Sequence, residues 1–441
     1  MRFVLLFIAA GMAHGQTARD PSSVLEQARA RLQAAAHNLE KYVCVETVNR
    51  GYYQRVTARD APARPGPAPV CSQNPAAGGA PDSRQLESTD RVRLEVTVSE
   101  GRELHSWPGA TRFDSRDVDE LIRDGPVSTG AFGGYLAAVF DRPGIVFHYN
   151  GPRAADGKTL FEYRYSVSLE DSRFEVKVDT AWRRAAYEGE FRIDPESLDL
   201  ERLTIRANAL PPGAAFCQAA TTLDYQQVHI GNSDVLLPLQ SQLEIVLKDG
   251  RENRNVTTFA SCREYQAESA IVFDAPSDTE GAVAPRAGRG RVTLPIGLPV
   301  TLALTSAIDT AAAAAGDPIA AKVVKPVFRP GTKEELIPVG AVVRGRIRRV
   351  EHHLSPDPYF LVALSFNRVD VQGVLSPFVA RSEADAGLAK QLGANLALRD
   401  TGIWFWGVGT FLFPTNKSRT AIPAGFESKW FTLATGAPGG R

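Results

Sequence analysis

The chain is poor in cysteine and methionine, carries no block of one charge, and has no apolar run long enough to cross a bilayer as a helix. Each absence excludes a class of protein. Four cysteines stand in 441 residues: Cys44, Cys71, Cys217 and Cys262. No two of them form C-x-x-C, so neither a zinc ribbon nor a thioredoxin-type motif is present. The 50 basic and 50 acidic residues cancel without clustering. Nucleic acid binding and polybasic membrane attachment therefore have no support. The most apolar run, IWFWGVGTFLF at 403–413, falls short of the ~20 residues that a spanning helix needs. The mature chain is read without a transmembrane span.

Catalytic and cofactor motifs are equally scarce. Gly151 and Gly157-Lys158-Thr159 imitate a phosphate-binding loop, but five residues separate the two glycines instead of four. Beyond Thr159 the residues LFEYRYSV alternate as a strand does, whereas a phosphate loop opens a helix. Residues 150–163 thus read as the turn of a hairpin. Ser128, in GPVSTG, lacks the G-x-S-x-G spacing and the preceding strand of a nucleophile elbow, and reads as a helix cap. His37, His105, His148, His229, His352 and His353 show no H-E-x-x-H spacing. His353 could meet Asp357 across the SPDP turn, but the pair reads better as part of an exposed hairpin. The carboxylates Asp117, Asp119 and Glu120, and Asp194, Glu196 and Asp199, sit where helix starts and turns favour them anyway. The expectation is a non-enzymatic protein with no catalytic residue, metal or cofactor.

The N-terminus MRFVLLFIAAGMAHGQ has one basic residue, a short apolar core and small residues before Gly15. Residues 1–15 read as a secretory signal, which places the protein outside the cytoplasm, in the periplasm or beyond. PSSVLEQARARLQAAAHNLEKY comes next as a helix, with Ser23 and Glu26 as a capping box. From about 91 to 273 the text alternates polar and apolar residues between turn signals, as in RVRLEVTVS and FEYRYSVSL. Residues 16–273 thus read as a helix plus an antiparallel meander, a curved half-barrel with helices on its apolar face. DAPSDTEGAVAPRAGRGR, 274–291, is a linker by composition. Residues 292–441 form a second, smaller β region, a barrel or a sandwich. The fold class is mainly β with a few helices.

An even cysteine count in an exported chain points to disulfides. Three pairings are possible by counting, and the local one, Cys44–Cys71 with Cys217–Cys262, is preferred. Simple hairpin register puts Cys262 near the far end of the 221–230 strand, about 33 Å of extended chain from its start. That distance keeps Cys44–Cys262 open as an alternative. In the 403–413 run, Trp404 and Trp406 share one face while Phe411 and Phe413 lie on the other. The run is either a core strand or a contact surface for a lipid or partner.

The phrases YVCVET, TDRVRLEV, HSWPGATRFD, GPVSTGAFGGYL, LDYQQVHIGNSDVLLP and FASCREYQAESAIVFD, spread over roughly 40–273, carry a resemblance. They are similar to exported proteins of soil-type bacteria. More distantly, the helix and long meander resemble the periplasmic lipoprotein-carrier (LolA/LolB-like) superfamily. That resemblance implies a half-barrel that holds acyl chains under covering helices, with a lipid or lipoprotein as ligand. It transfers no individual residue. In the second region, LPIGLPVTLALTSAIDT, AGDPIAAKVVKPV and LIPVGAVVRGRI resemble the small barrel of TrbI-type channel subunits of type IV secretion, over about 295–380. This implies an alternative role, a cell-envelope scaffold that docks a protein partner through its C-terminal barrel.

Overall fold

The computed structural model describes residues 19–55, 84–110, 113, 117–122, 125–155, 157–265, 291–383 and 407–434. Residues 1–15, expected to be a signal, Cys71, residues 274–290 of the expected linker, Trp404 and Trp406 lie outside these residues. No helix among the described residues is long and apolar enough to cross a membrane.

Helix α1 (Pro21–Asn38) begins before the expected capping box. Its cap is Asp20, whose carboxylate accepts from the Ser23 N–H at 2.9 Å. Pro21 takes the first helical position, where a missing N–H costs nothing. Val24, Ala28, Leu32 and Ala36 recur every fourth residue and are buried on one face.

The chain then becomes extended. It forms β1 (Tyr42–Arg55), β2 (Arg84–Ser99) and β3 (Arg102–Ser106), followed by the short helices α2 (Val118–Leu121) and α3 (Gly134–Phe140). Next come β4 (Val146–Ala155), β5 (Lys158–Val167), and a side hairpin of β6 (Glu175–Val178) and β7 (Ala181–Arg184). The series continues with β8 (Ala186–Ile193), β9 (Leu200–Ala209), β10 (Phe216–Ile230), β11 (Ser233–Leu247) and β12 (Glu252–Glu264). β4 and β5 are the hairpin expected around Gly157. All ladders are antiparallel, in the order β3-β2-β1-β12-β11-β10-β9-β8-β5-β4. The last strand of this half therefore lies against the first, and β1 is paired on both edges.

α1 and α3 lie in the concavity, as amphipathic pattern requires. Their buried residues join Val96, Tyr163, Phe191, Leu203 and Leu223 from the sheet in one core. The aromatic rings interlock: Phe191 stacks on Tyr163 at 5.2 Å and meets Phe140 edge-on at 5.0 Å.

The C-terminal half comprises β13 (Pro299–Leu304), β14 (Ile308–Asp309), β15 (Pro318–Val323), β16 (Val327–Phe328), β17 (Glu335–Ile337) and β18 (Val342–His353). It continues with β19 (Tyr359–Val371), β20 (Val374–Pro377), β21 (Ala380–Ser382), β22 (Val408–Pro414), β23 (Ala421–Ile422) and β24 (Glu427–Thr432). Its ladders run β21-β24-β13-β15-β18-β19, with β20 and β22 sharing the other edge of β19. The sheet rolls around fully buried Trp430, Phe378 and Val343. Among the described residues no ladder joins β22 to β21 or β24, so the expected barrel or sandwich is an open rolled sheet.

The two halves share backbone hydrogen bonding. β18 pairs with β2 through Glu351↔Asp90, His352↔Thr89 and His353↔Ser88. Arg93 N donates to Ala315 O and Ala315 N to Arg91 O, each at 2.8 Å. This seam is charged and buried. Arg50 grips Asp90 at 2.6 and 2.7 Å, with side chains only 4% and 10% exposed. Tyr52 donates a third bond to Asp90, at 3.0 Å. Burial alone would lower the Arg50 pKa, and the adjoining Asp90 carboxylate more than reverses it. Gly125, at φ +75, lies against this pair so closely that a Cβ there would meet the Tyr52 hydroxyl at 2.1 Å.

Candidate functional site

The helices α1 and α3 and the sheet bury a large core on the concave face, and open space lies at one end of it. There the ends of β10, β11 and β12 bound a cleft of about 320 Å³. Val228, Ile230, Leu237, Pro238 and Phe259 give its lining apolar side chains, and Gln226, His229 and Ser261 add polar ones. Its floor is the core, since Phe259 meets buried Phe132 at 5.5 Å between ring centres.

Local irregularities shape this end. Register slips between Asp224↔Gln240 and Tyr225↔Pro238, which leaves Leu239 unpaired and half exposed. A second slip lies opposite Cys44, where Val43 faces Arg263 and Val45 faces Ala260. Ser261, inside this bulge, holds φ at +50, a backbone region that non-glycine residues seldom occupy.

The bulge brings Cys262 to Cys44, and the two form a disulfide across neighbouring strands. This corrects the local pairing. Cys44–Cys71 and Cys217–Cys262 are both ruled out, because Cys44 and Cys262 hold each other. The reason is topological: β12 folds back beside β1 and not against the loop before β10. Cys217 is also disulfide-bonded. Cys262 does lie near the 228–230 end of β10, as register alone indicated.

A second cluster is polar and closed. Glu103 accepts from the N–H groups of Gly130, Gly133 and Gly134 at 2.5, 2.9 and 3.3 Å, which anchors the start of α3. Beside it His105 lies 3.3 Å from Glu46, both nearly without solvent exposure. Burial raises the Glu103 pKa, against the pull of His105. Burial would lower His105, but the hydrogen bond and charge of Glu46 raise it. Ser128 does not cap a helix; its hydroxyl meets the Tyr135 hydroxyl at 3.0 Å. No histidine hydrogen-bonds to Ser128 among the described residues, so the nucleophile reading gains no partner.

The remaining candidates engage neighbouring groups. His353 pairs with Glu351 at 2.9 Å, not with Asp357. Among the described residues no group of three His, Cys, Asp or Glu side chains is placed to hold a metal ion. Asp117 precedes α2 without a side-chain capping bond and lies 3.5 Å from Arg102, and Asp194 accepts the Glu196 N–H within its turn. Phe411 on β22 is buried 5.6 Å from Phe426, and half-buried Phe413 lies 6.1 Å from the same ring. Both pack on the C-terminal core, Phe411 within it and Phe413 at its margin. The cleft itself was missed in the sequence; VHIGNSDVLLP, with its turn between two apolar ends, was the available signal.

No protein-family model and no curated protein matches the chain. Solved structures show likeness of fold. A LolA-superfamily protein from Nitrosomonas europaea is similar over 54% of this chain and 94% of its own, at 6% identity and TM-score 0.24. A DUF1329 family protein from Desulfovibrio piger is similar over 58% and 96%, at 9% identity and TM-score 0.28. ComB10 of the Com type IV secretion system of Helicobacter pylori is similar over 32% and 87%, at 14% identity and TM-score 0.18.

Proposed function

We propose that the protein is a non-enzymatic binding protein that takes the end of an acyl chain, free or on a lipoprotein, into the cleft at the ends of β10–β12. The observation that carries this reading is the cleft: apolar side chains beside polar ones and about 320 Å³, at the lower end of the range for small-ligand sites. The small volume, with the core behind Phe259 and Phe132, limits the bound portion to a short length. The Cys44–Cys262 bridge supports work in an oxidising compartment such as the periplasm.

Native mass spectrometry of the purified protein, followed by titration with dodecanoate, tests the reading. One bound chain is expected, and Val228→Trp with Ile230→Trp should weaken binding at least about tenfold by filling the cleft. His229→Ala, on the rim, should change little. Failure to bind any acyl chain, or equal binding by the filled variant, would overturn it. A copurifying protein mass would favour instead the envelope-scaffold reading. That reading draws on the exposed Ile296, Phe328 and Val339 of the C-terminal half.

A further inference from the structure

The loop between β22 and β23 is tied down at both ends. Thr415 N donates to Pro358 O at 3.1 Å, and Lys417 N donates to the Thr415 hydroxyl at 3.1 Å. At the far end β23 pairs with β14 through Asp309↔Ala421 and Ile308↔Ile422. Thr310 N donates to Thr420 O at 3.0 Å, and Thr420 N to the Thr310 hydroxyl at 2.9 Å. The backbone of this loop is therefore set before any ligand arrives.

Within it lies an open cleft of about 670 Å³ lined by Asp309, Lys417, Ser418, Arg419, Thr420 and Ala421. Two cations face one carboxylate. Neither Lys417 nor Arg419 makes an ion pair among the described residues, and both are exposed. One oxygen of Asp309 is engaged by the Ala311 N–H at 3.0 Å. The positive field continues behind the wall: Arg91 donates to Ala311 O at 2.5 Å, and Arg93 donates to Ala312 O at 3.0 Å. Asp317 answers Arg93 at 2.5 Å, and among the described residues Arg91 makes no ion pair of its own. Cations grouped on one loop concentrate anions. Ser418 and Thr420 add hydroxyl donors of the kind that complete the shell of a phosphate oxygen.

We propose that this cleft is an anion site that takes a phosphate group, either as free phosphate or as the headgroup of a lipid. Lys417 and Arg419 supply the charge, and Asp309 sets a limit on affinity by repelling the ligand. The site is independent of the cleft at β10–β12, and its test does not depend on that reading.

The test uses the full chain at low ionic strength. Calorimetric titration with inorganic phosphate forms one arm, and cosedimentation with phosphatidylglycerol or phosphatidylcholine vesicles the other. Binding in the phosphate arm alone assigns free phosphate; binding only to phosphatidylglycerol vesicles assigns the headgroup; both are compatible with the site. Lys417→Gln should weaken binding about tenfold, and Lys417→Gln/Arg419→Gln should abolish it. Asp309→Asn keeps the turn's acceptor and should tighten binding. Thermal melting should be unchanged in all three variants, since these side chains are exposed. Binding in neither arm, or equal binding by the double variant, would overturn the proposal.

Discussion

Replacing Arg50 with methionine removes its two bonds to the Asp90 carboxylate, at 2.6 and 2.7 Å, and leaves that group 10% exposed beside Glu351. The methylene stem is kept, so little packing is lost. Removing one partner of a buried pair costs about 3–5 kcal/mol. Asp90 can escape by taking up a proton, at about 1.4 kcal/mol per pH unit above its ordinary range, or roughly 4 kcal/mol at pH 7. The Tyr52 bond at 3.0 Å survives and softens the loss. The expected destabilisation is therefore about 3 kcal/mol at pH 7, shrinking as pH falls. Urea unfolding followed by tryptophan fluorescence measures it, with fully buried Trp430 reporting the far half. Arg50→Met/Asp90→Leu should recover much of the loss, because no charge is then left unpaired. A cost under about 1 kcal/mol, or a double variant as damaged as the sum of the single ones, would refute the idea that this pair supports the seam.

The Cys44–Cys262 bridge spans 218 residues. In the chain-entropy model such a closure stabilises by about 5 kcal/mol, an upper figure because the Cys217 bridge already restrains the unfolded chain. Cys44→Ala/Cys262→Ala should therefore lower stability by about 2–5 kcal/mol, and non-reducing peptide mapping of the wild type should recover a Cys44–Cys262 peptide. pH gives a separate check. His105 is raised above 6.5, so its contribution is fully present below pH 6.5 and is lost as pH rises through its folded value. Glu351 is held below 4.5 by its His353 bond and Arg349, which outweigh burial, so its contribution is lost as pH falls through its folded value. Melting temperature should peak between about pH 4.5 and 6.5, and Glu46→Gln should flatten the alkaline side; an unchanged slope in that variant would show that His105 is not responsible.

Local patterns carried much of the architecture into the sequence. The α1 stripe and the β4–β5 hairpin follow from periods of 3.6 and 2 and from Gly157 in the turn. The cap was mistaken because Asp20-Pro21 and Ser23-x-x-Glu26 both satisfy the chemistry of a helix start, and only the entry of the chain decides between them. Disulfide pairing failed for a different reason. Which strands become neighbours is a property of the closed sheet, and nothing between Cys44 and Cys262 announces that β12 returns to β1. The seam was invisible because β1 buries Glu46 and Arg50 on the same face as Cys44 and Val48. Hydropathy reads such charges as a solvated face. The cleft needed two bulges, which move side chains by one residue without any change of composition.

The double pairing of β1 sets an order of events during synthesis. Its β2 partner emerges within decades of residues, but β12 ends beyond residue 260. At about 5–20 residues per second, the 218 residues between the bridged cysteines take roughly 10–40 s to emerge. During that interval β1 presents an unpaired edge, the feature that recruits foreign strands. A nascent chain of this protein is thus exposed for longer than one built from successive local hairpins, and it depends on being held apart from its neighbours until the last strand arrives. A fragment that stops before Glu252 keeps that edge open for good.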